Sequence, residues 1–425
     1  MNVLICCENH FVQVGDEVHF HLTGPRFFQR YRDVFDEVVI LARSAKKDKA
    51  PQGSQPLDMS GVRLIGLPDF YGPRQFLREW RNCRNIARRA LEQVDSIIFR
   101  APGTISNVVW SLLGRTGRPF GVEVVGDPAK AMARGAMRHP LRPFFRWISV
   151  RNLRRQCREA YATAYVTQNS LQQDYPPAPG KFSTHYSTIE LHRRQLAAAP
   201  RTDFPRNGPY RIVSVGSFAT LYKAQDILLK AVGQLVRGGL PLEVVLIGAG
   251  KYRAEMEELA RTEGLSDRVC FCGELPMGDA VLAELDRADL FVLPSRQEGL
   301  PRATIEAMAR GLPCIGSTVG GTPELLGRED MVSPDDIEGL AGKIGDVLKD
   351  PVRMAKMSKR NLAVASEYTE DILSARRIAF YRELKICTDA WQHRGVTMLQ
   401  GVASAARVPA PAASGDGTRI HDAAV

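Results

Sequence analysis

Two glutamates stand eight residues apart in the segment SRQEGLPRATIEAMARGLPC, residues 295–314. Glu298 lies in a stretch rich in Gly and Pro, and Glu306 follows in a run that favours helix. Because Pro301 suits the first turn of a helix and a glycine suits its end, the pattern predicts a helix over 301–310. Glu306 then lies along this helix. Glu298 precedes it, in a loop whose N–H groups and positive helix end can face an anion.

This arrangement suits a ligand that carries both hydroxyl groups and phosphates. Carboxylates accept hydrogen bonds from paired sugar hydroxyls, and a helix N-terminus attracts negative charge. The alternative is that Glu306 is a surface residue of the helix and Glu298 an ordinary loop acid. The spacing alone leaves both interpretations open.

The elements that would position these glutamates follow a repeating pattern. Short apolar runs alternate with amphipathic helical stretches, which predicts open parallel sheets with helices on both faces. The chain has 425 residues and is 44% apolar, so two domains of ordinary size are expected. In the first half, strand candidates lie at 2–7, 37–42, 62–67, 96–101, 121–126 and 160–167.

A stretch rich in Pro and Ala, AAAPRTDFPRNGP, interrupts this pattern before it restarts. We therefore predict an α/β chain with two Rossmann-like, doubly wound domains. The predicted parts are an N-terminal domain (1–196), a linker (197–209), a C-terminal domain (210–370), a C-terminal helix (371–395) and a disordered tail (401–425).

The glutamate segment resembles the retaining glycosyltransferases of family 4, which have the GT-B fold. EGLPRATIE reproduces the family's two glutamates separated by seven residues, and GGTPE (320–324) is similar to its Gly-Gly-x-Pro-Glu element. Upstream, SVGSFATLYKAQDILLKA (214–231) resembles the family's segment of strand, glycine, lysine and helix, VLIGAGKYRAEMEELA (245–260) its second glycine loop, and DRVCFCGELP (267–276) its next strand. Specific motifs cover about residues 210–345, whereas the N-terminal half resembles the family in architecture only.

The resemblance implies a cleft between the two domains, with the C-terminal helix returning to the N-terminal domain. A nucleotide-sugar donor would lie against the C-terminal domain, with its ribose hydroxyls on Glu306. Glu298, with the amides of Gly299 and Leu300, would contact the transferred sugar, and Lys223 would neutralise the diphosphate. The further donor-binding residues implied are Pro301, Gly216, Ser217, Gly248 and Val269.

The chain departs from the family at several positions. Many members have an arginine where this chain has Ser217, and a histidine facing the donor sugar in the region where it has Asp127. Asp127 is either a third catalytic residue or a cap for the helix that Pro128 begins. Gly15, after the first strand, resembles a glycine turn at the acceptor and donor diphosphate, although an ordinary turn glycine fits as well.

Positive charge is concentrated in the N-terminal half. The net charge is +10, and residues 1–200 hold 29 of the 57 basic and 17 of the 47 acidic side chains. Two segments, 74–93 and 130–158, interleave basic residues with aromatic ones, a composition typical of an anionic membrane interface or of solvated helices. Because no nucleic-acid module accompanies them, we expect no nucleic-acid partner.

Other features of the sequence concern location and cofactors. No signal peptide or long apolar span is present, which predicts a cytoplasmic protein, placed by its acceptor at the inner face of the cell membrane. No D-x-D motif occurs, and a lysine with a helix N-terminus can do the electrostatic work of a metal ion. We therefore predict a metal-independent enzyme with no cofactor and no metal site.

The sequence thus predicts a hexosyl-type, retaining glycosyltransferase. It would move a sugar from a nucleotide-diphosphate donor to a glycan or lipid-linked glycan, as in the biosynthesis of bacterial exopolysaccharide, lipopolysaccharide or capsule. An epimerase or phosphorylase of the same fold and a non-catalytic nucleotide-sugar-binding protein remain alternatives. A nicotinamide oxidoreductase is disfavoured because no G-x-G-x-x-G follows the first strand.

Overall fold

The computed structural model contains two parallel sheets, each covered by helices. It describes residues 1–20, 27–51, 54–57, 60–114, 116–132, 140–204, 208–276 and 278–405, with side chains as far as 393. Of the predicted disordered tail, residues 401–405 continue the last helix, and 406–425 lie outside the described residues.

The first sheet belongs to the N-terminal half. Its strands are β1 (Asn2–Val14), β2 (Glu17–Phe20), β3 (Glu37–Lys46), β4 (Gln55–Pro56), β5 (Val62–Pro68), β6 (Ser96–Ala101), β7 (Gly121–Val124), β8 (Ala162–Tyr165) and β9 (Phe182–His185). The helices are α1 (Gly72–Leu91), α2 (Thr104–Leu113), α3 (Pro128–Ala131), α4 (Arg142–Glu159) and α5 (Ser170–Asp174). The parallel strands lie in the order β5-β3-β1-β6-β7-β8-β9, which is the doubly wound pattern predicted.

The second sheet has six parallel strands in the order β12-β11-β10-β13-β14-β15. They are β10 (Tyr210–Val215), β11 (Leu242–Ile247), β12 (Val269–Gly273), β13 (Leu290–Leu293), β14 (Cys314–Ser317) and β15 (Met331–Val332). The helices that follow α5 are α6 (Gln225–Arg237), α7 (Arg253–Thr262), α8 (Asp279–Arg287), α9 (Arg302–Ala309), α10 (Thr322–Leu325), α11 (Ile337–Leu348), α12 (Pro351–Ser366) and α13 (Glu370–Ala405). The strand order reverses between β10 and β13, and in such sheets ligands bind at the carboxyl ends of the strands beside this point.

The first strand is longer than its apolar run suggested. A bulge between Cys6 and His10 interrupts its pairing with β3, after which β1 continues to Val14 and turns back antiparallel into β2. Gly15 lies in this hairpin turn with φ of +59°, and a Cβ there would meet nothing within 4 Å. The expected loop is therefore a hairpin turn, where glycine is favoured for its backbone conformation.

The last helix, α13, returns to the first sheet, as the GT-B resemblance implied. Phe380, Tyr381 and Leu384 are fully buried against the core of the N-terminal domain. A Cβ on Gly121 would stand 2.8 Å from the Phe380 ring, so only glycine lets the helix approach β7 this closely. Ser96 also donates a hydrogen bond to Thr388 at 3.0 Å, which fixes the helix along its length.

The stretch predicted as a linker packs against the second domain. The Arg201 guanidinium donates to the backbone oxygens of Leu285, Ala288 and Arg310, and the N–H of Ala197 donates to the oxygen of Ala309 at 2.7 Å. Its contacts therefore hold the C-terminal end of α9, the helix that carries Glu306.

Among the described residues, none of the helices has the length and apolar character needed to cross a lipid bilayer.

Candidate active site

Lys223 and Glu298 form an ion pair at the carboxyl edge of the second sheet. Nζ of Lys223 donates to both carboxylate oxygens of Glu298, at 2.7 and 3.0 Å. Ser295 donates to the same carboxylate at 2.6 Å. The Glu298 side chain is 7% exposed and that of Lys223 27%, so the lysine is the member that meets solvent.

The backbone around Lys223 is shaped to present this side chain. Lys223 ends a 3-10 turn, and Ala224 follows with φ of +54°, a left-handed conformation that starts α6. The lysine stem passes over Gly216, where a Cβ would stand 2.7 Å from the lysine Cγ. Gly216 therefore provides the space that Lys223 occupies.

Arg296 ties the lysine turn to the loop that carries Glu298. Its guanidinium donates to both carboxylate oxygens of Asp226 at 2.8 and 2.7 Å and to the backbone oxygen of Leu221 at 2.7 Å. Asp335 binds the remaining edge of the guanidinium at 2.6 Å. Because a bidentate arginine fixes geometry as well as charge, this contact fixes the position of the Lys223 turn relative to the loop that carries Glu298.

Glu306 lies on α9, whose bounds agree with the predicted helix to within one residue, with Pro301 as the residue before its first turn. No hydrogen bond or ion pair joins its carboxylate to another described residue, and burial raises the pKa of Glu306 above its usual value. Arg302, one turn earlier, opposes this rise by charge, and burial lowers its own pKa. A partly buried carboxylate that no described residue binds can accept hydrogen bonds from a ligand.

The loop from Glu298 to Leu300 is packed against a glycine pair. A Cβ on Gly320, where φ is +55°, would stand 2.2 Å from the backbone oxygen of Glu298. The N–H of Gly321 donates to the oxygen of Gly299 at 2.6 Å. Leu300 is 8% exposed. The Gly-Gly element is therefore what allows two backbones to meet and hold the loop in place.

The same loop faces the N-terminal domain. A Cβ on Gly299 would stand 3.2 Å from the backbone oxygen of Val125, just beyond the end of β7. The carboxyl ends of the strands of the two sheets thus face each other across the site.

Glu324 joins the two domains directly. Its carboxylate accepts hydrogen bonds from the backbone N–H groups of Gln168, Asn169 and Ser170, at 2.5, 3.0 and 2.7 Å. These groups open α5 of the N-terminal domain, so the carboxylate serves as a cap supplied from the other domain. The contact fixes one side of the cleft.

Asp127 caps a helix, one of the two roles open from the sequence. It precedes α3, accepts from the N–H of Ala129 at 2.8 Å and from the hydroxyl of Tyr175, and is 6% exposed. Burial, followed by the bond to Asp127, raises the pKa of the Tyr175 hydroxyl. The carboxylate is thus engaged within its own domain, and a catalytic role for it stays a prediction.

The two glycine loops of the C-terminal domain touch each other. Gly248 has φ of +145°, and a Cβ there would stand 2.1 Å from the backbone oxygen of Gly216. Ser217 stands at the position where the family has arginine. Its hydroxyl binds the two glycine loops, because it donates to the oxygen of Ala249 and accepts from the N–H of Ala219. Gly248 and Ser217 therefore fix the conformation of the loops at the sheet edge beside Lys223.

Val269 is not at this edge, which corrects its place among the predicted donor-binding residues. It begins β12 and pairs with Val244 inside the sheet, whereas the strand reaches the carboxyl edge at Gly273. Four residues at about 3.3 Å each place Val269 about 13 Å from that edge. Its partly buried side chain belongs to the core of the C-terminal domain.

Gly15 lies at the tip of the β1–β2 hairpin, beyond the paired end of β6, and its role at the acceptor or the donor diphosphate stays a prediction.

Arg296 and Arg302 were not identified from the sequence, and GGTPE (320–324) was matched to the family element without the contacts that its Gly-Gly pair and Glu324 make. Arg302 sits within the paired-glutamate segment, one turn before Glu306, so helical spacing was the available signal. The contacts of Arg296 and Glu324 join positions tens of residues apart or more, and no local pattern carries them.

Comparison with known proteins finds similar sequences over the C-terminal domain and over most of the chain. Residues 209–350 match the family model described as Glycosyl transferases group 1. Protein CapJ of Staphylococcus aureus is 21% identical over 379 residues, which cover 87% of this chain and 93% of CapJ. A GDP-mannose-dependent monoacylated alpha-(1-6)-phosphatidylinositol monomannoside mannosyltransferase of Corynebacterium glutamicum is 30% identical over 175 residues, 39% of this chain and 45% of that enzyme.

A solved structure shares the whole architecture. Sucrose-phosphate synthase from Thermosynechococcus elongatus superposes with a TM-score of 0.68 at 18% identity, over 91% of this chain and 99% of that one. At this identity the likeness concerns the fold, which is GT-B.

Proposed function

We propose that this chain, whose residues 209–350 match the family model described as Glycosyl transferases group 1, is a GT-B glycosyltransferase that uses a nucleotide-diphosphate sugar as its donor. The observation that carries the proposal is the cation Lys223 on Glu298 at the carboxyl edge of the second sheet, beside Glu306, whose carboxylate no other described residue binds. A cation can neutralise a diphosphate, and a carboxylate can accept hydrogen bonds from both hydroxyls of a ribose. The edge offers both.

Donor binding would exchange the partners of the ion pair. Without a ligand, Lys223 neutralises Glu298. A diphosphate would draw the solvent-facing lysine toward its own charge, and hydroxyls of the transferred sugar would take its place on Glu298. The ribose would bind Glu306, and the amides of Gly299 and Leu300 would lie beside the sugar. Lys223 and Glu298 then each keep a partner in both states, and Glu306 gains one when the donor binds.

We propose that transfer retains the anomeric configuration. The acceptor oxygen forms its bond to the anomeric carbon on the face from which the diphosphate departs, and the hydroxyl proton passes to a leaving phosphate oxygen. Lys223 stabilises the negative charge that develops on that group. Glu298 would stabilise the cationic sugar rather than attack it, because Ser295 and the sugar hydroxyls that replace Lys223 would occupy its oxygens.

The donor can be identified by thermal stability. A nucleotide sugar at about 100 times its Kd is expected to add about 2.7 kcal/mol to the free energy of unfolding. We expect one base among UDP-, GDP- and ADP-sugars to raise the Tm, and EDTA to leave this shift and the transfer rate unchanged, since the lysine replaces a metal ion. Unchanged Tm with every donor would contradict the proposal. Loss of transfer in EDTA that is restored by Mg²⁺ or Mn²⁺ would contradict metal independence.

We further propose that the acceptor is a growing glycan or lipid-linked glycan of a bacterial surface polysaccharide, presented at an anionic membrane. Leu141, Phe144 and Trp147 form an exposed stripe at the start of α4, with exposed fractions of 56%, 52% and 57%. Their spacing of three residues puts them on one side of the helix, and the rest of α4 is rich in arginine. Apolar groups beside arginines suit the boundary between lipid headgroups and acyl chains.

Vesicle sedimentation tests this contact. Burial of the two rings would contribute on the order of 1 kcal/mol each. The double variant Phe144→Ser/Trp147→Ser is therefore expected to bind vesicles containing phosphatidylglycerol at least about 10-fold more weakly than the wild type. The matched control, Val352→Ser/Ile386→Ser, also removes two exposed apolar side chains and should bind normally. Equal binding by all three proteins would contradict the proposed membrane contact.

A further inference from the structure

A histidine–aspartate pair lies at the cleft edge of the N-terminal domain. Nδ1 of His10 is 2.6 Å from Oδ1 of Asp69, and the two side chains are 33% and 21% exposed. Because an ionised carboxylate only accepts hydrogen bonds, Nδ1 carries the proton. In the neutral ring Nε2 is then a hydrogen-bond acceptor. No described residue binds Nε2, so a ligand hydroxyl can donate to it.

An aromatic platform lies beside this acceptor. The Tyr71 ring stacks on His10 with centroids 4.6 Å apart and an interplanar angle of 15°. Tyr71 is 63% exposed, so one face of its ring covers His10 while most of the side chain meets solvent. A large exposed aromatic beside a directed hydrogen-bond acceptor matches a sugar ring, which has an apolar face and hydroxyls at its rim.

Three elements hold this cluster in place. The bulge in β1 ends at His10, and β5 ends just before Asp69. Arg43 of β3 donates to the backbone oxygen of Phe70 at 3.2 Å and pairs with Glu8, whose carboxylate also accepts from the N–H of Ile105 at 2.8 Å. Arg43 and the N-terminal end of α2 thus already have partners. Among the described residues, the groups of the cluster left to contact a ligand are Nε2 of His10 and the exposed part of the Tyr71 ring.

The strand register places the cluster on the side that faces the donor site. Ala101 pairs with Val124 at the carboxyl ends of β6 and β7, and the register of β1 with β6 puts these ends level with Glu8. Gly299 approaches the end of β7. Strands lie about 4.8 Å apart, so β1 is about 10 Å from β7. One bound glycan can reach from His10 to the sugar at Glu298.

We propose that His10 and Tyr71 form a binding subsite for a sugar ring of the acceptor, with Asp69 fixing the histidine tautomer. The inference rests on the proposed function only in naming this sugar as part of the acceptor. His10 and Tyr71 are acceptor-binding residues, and Asp69 is a positioning residue.

Saturation-transfer NMR with methyl glycosides of mannose, glucose and galactose tests the subsite without catalysis. We expect at least one glycoside to bind the wild type, and His10→Ala and Tyr71→Ala each to raise its Kd by about 10-fold. His10→Gln, which keeps a hydrogen-bond acceptor near Nε2, should recover part of the affinity. Ile386→Ala removes an exposed apolar side chain of α13, the helix that packs on the same domain, and should bind as the wild type does.

Several results would overturn the inference. One is that no glycoside binds the wild type, and another is that Tyr71→Ala leaves the Kd unchanged. The third is that His10→Ala lowers the Tm but leaves the Kd unchanged, which would show that the His10–Asp69 pair is structural. The donor thermal shift is measured on the same proteins. A donor shift without glycoside binding removes this inference alone, whereas glycoside binding at His10 without any donor shift removes the proposed function and leaves the subsite.

Discussion

Replacing Lys223 by alanine is expected to lower kcat by about 10²- to 10³-fold, the usual cost of removing one preorganised charge from a transition state. The lysine is the solvent-facing member of the ion pair with Glu298, in the position to meet a departing diphosphate. Its loss would leave the negative charge of the leaving group without its cation. Steady-state release of nucleoside diphosphate from the donor measures the effect.

The protein should remain folded in this variant. Loss of the cation beside the largely buried Glu298 should lower the free energy of unfolding, but Glu298 keeps its hydrogen bond from Ser295 and solvent can enter the space of the partly exposed lysine. Lys223→Arg should retain part of the rate, since it keeps the charge, and Lys356→Ala, at an exposed lysine of α12, should retain all of it. A near-normal kcat in Lys223→Ala would remove the lysine from the mechanism.

Replacing Glu306 by glutamine is expected to weaken donor binding by about 10- to 100-fold, because a hydrogen bond to a charged group contributes about 1.5–3 kcal/mol. Glutamine keeps the size of the side chain and loses the charge that would accept two ribose hydroxyls. Isothermal titration with the nucleoside diphosphate measures the change.

The same substitution is expected to stabilise the ligand-free protein at pH 7. Burial raises the pKa of Glu306, so the folded state holds this proton more tightly than the unfolded state does. Stability is therefore lost as the pH rises through the unfolded pKa, about 4.3, toward the folded pKa, and the loss persists above it. Glutamine escapes this loss, and its advantage over the wild type should shrink as the pH is lowered toward that range.

Glu338→Gln, at an exposed acid in the first turn of α11, serves as the control. It should change neither affinity nor the pH dependence of the Tm. If Glu306→Gln bound the nucleotide normally and lowered the Tm, Glu306 would be a structural residue of α9.

The parts of the fold that local pattern determines were predicted well. The apolar runs at 37–42 and 96–101 became β3 and β6, and the Pro and Gly around Glu306 bounded α9 to within one residue. Periodicity and helix-end residues act within a few positions, so they can be read directly from the sequence.

The remaining differences arise where distant contacts decide the outcome. The first strand was expected to end near residue 7, but pairing with β2 and β3 carries it through a bulge to Val14, so that Gly15 turns a hairpin. Val269 was assigned from its place in a similar segment, although a ligand meets the carboxyl end of a strand and Val269 begins one. The cap that Glu324 places on α5 joins residues more than 150 positions apart, which no local pattern reveals.

The most direct measurement of the central claim is transfer from the donor identified by thermal shift, labelled with ¹³C at the anomeric carbon and followed by NMR with glycans and lipid-linked glycans as acceptors. We predict a new glycoside signal with the anomeric configuration of the donor, formed in step with nucleoside diphosphate and lost in Lys223→Ala. An inverted product would contradict the retaining mechanism. Donor binding with neither transfer nor hydrolysis would contradict the account as a whole.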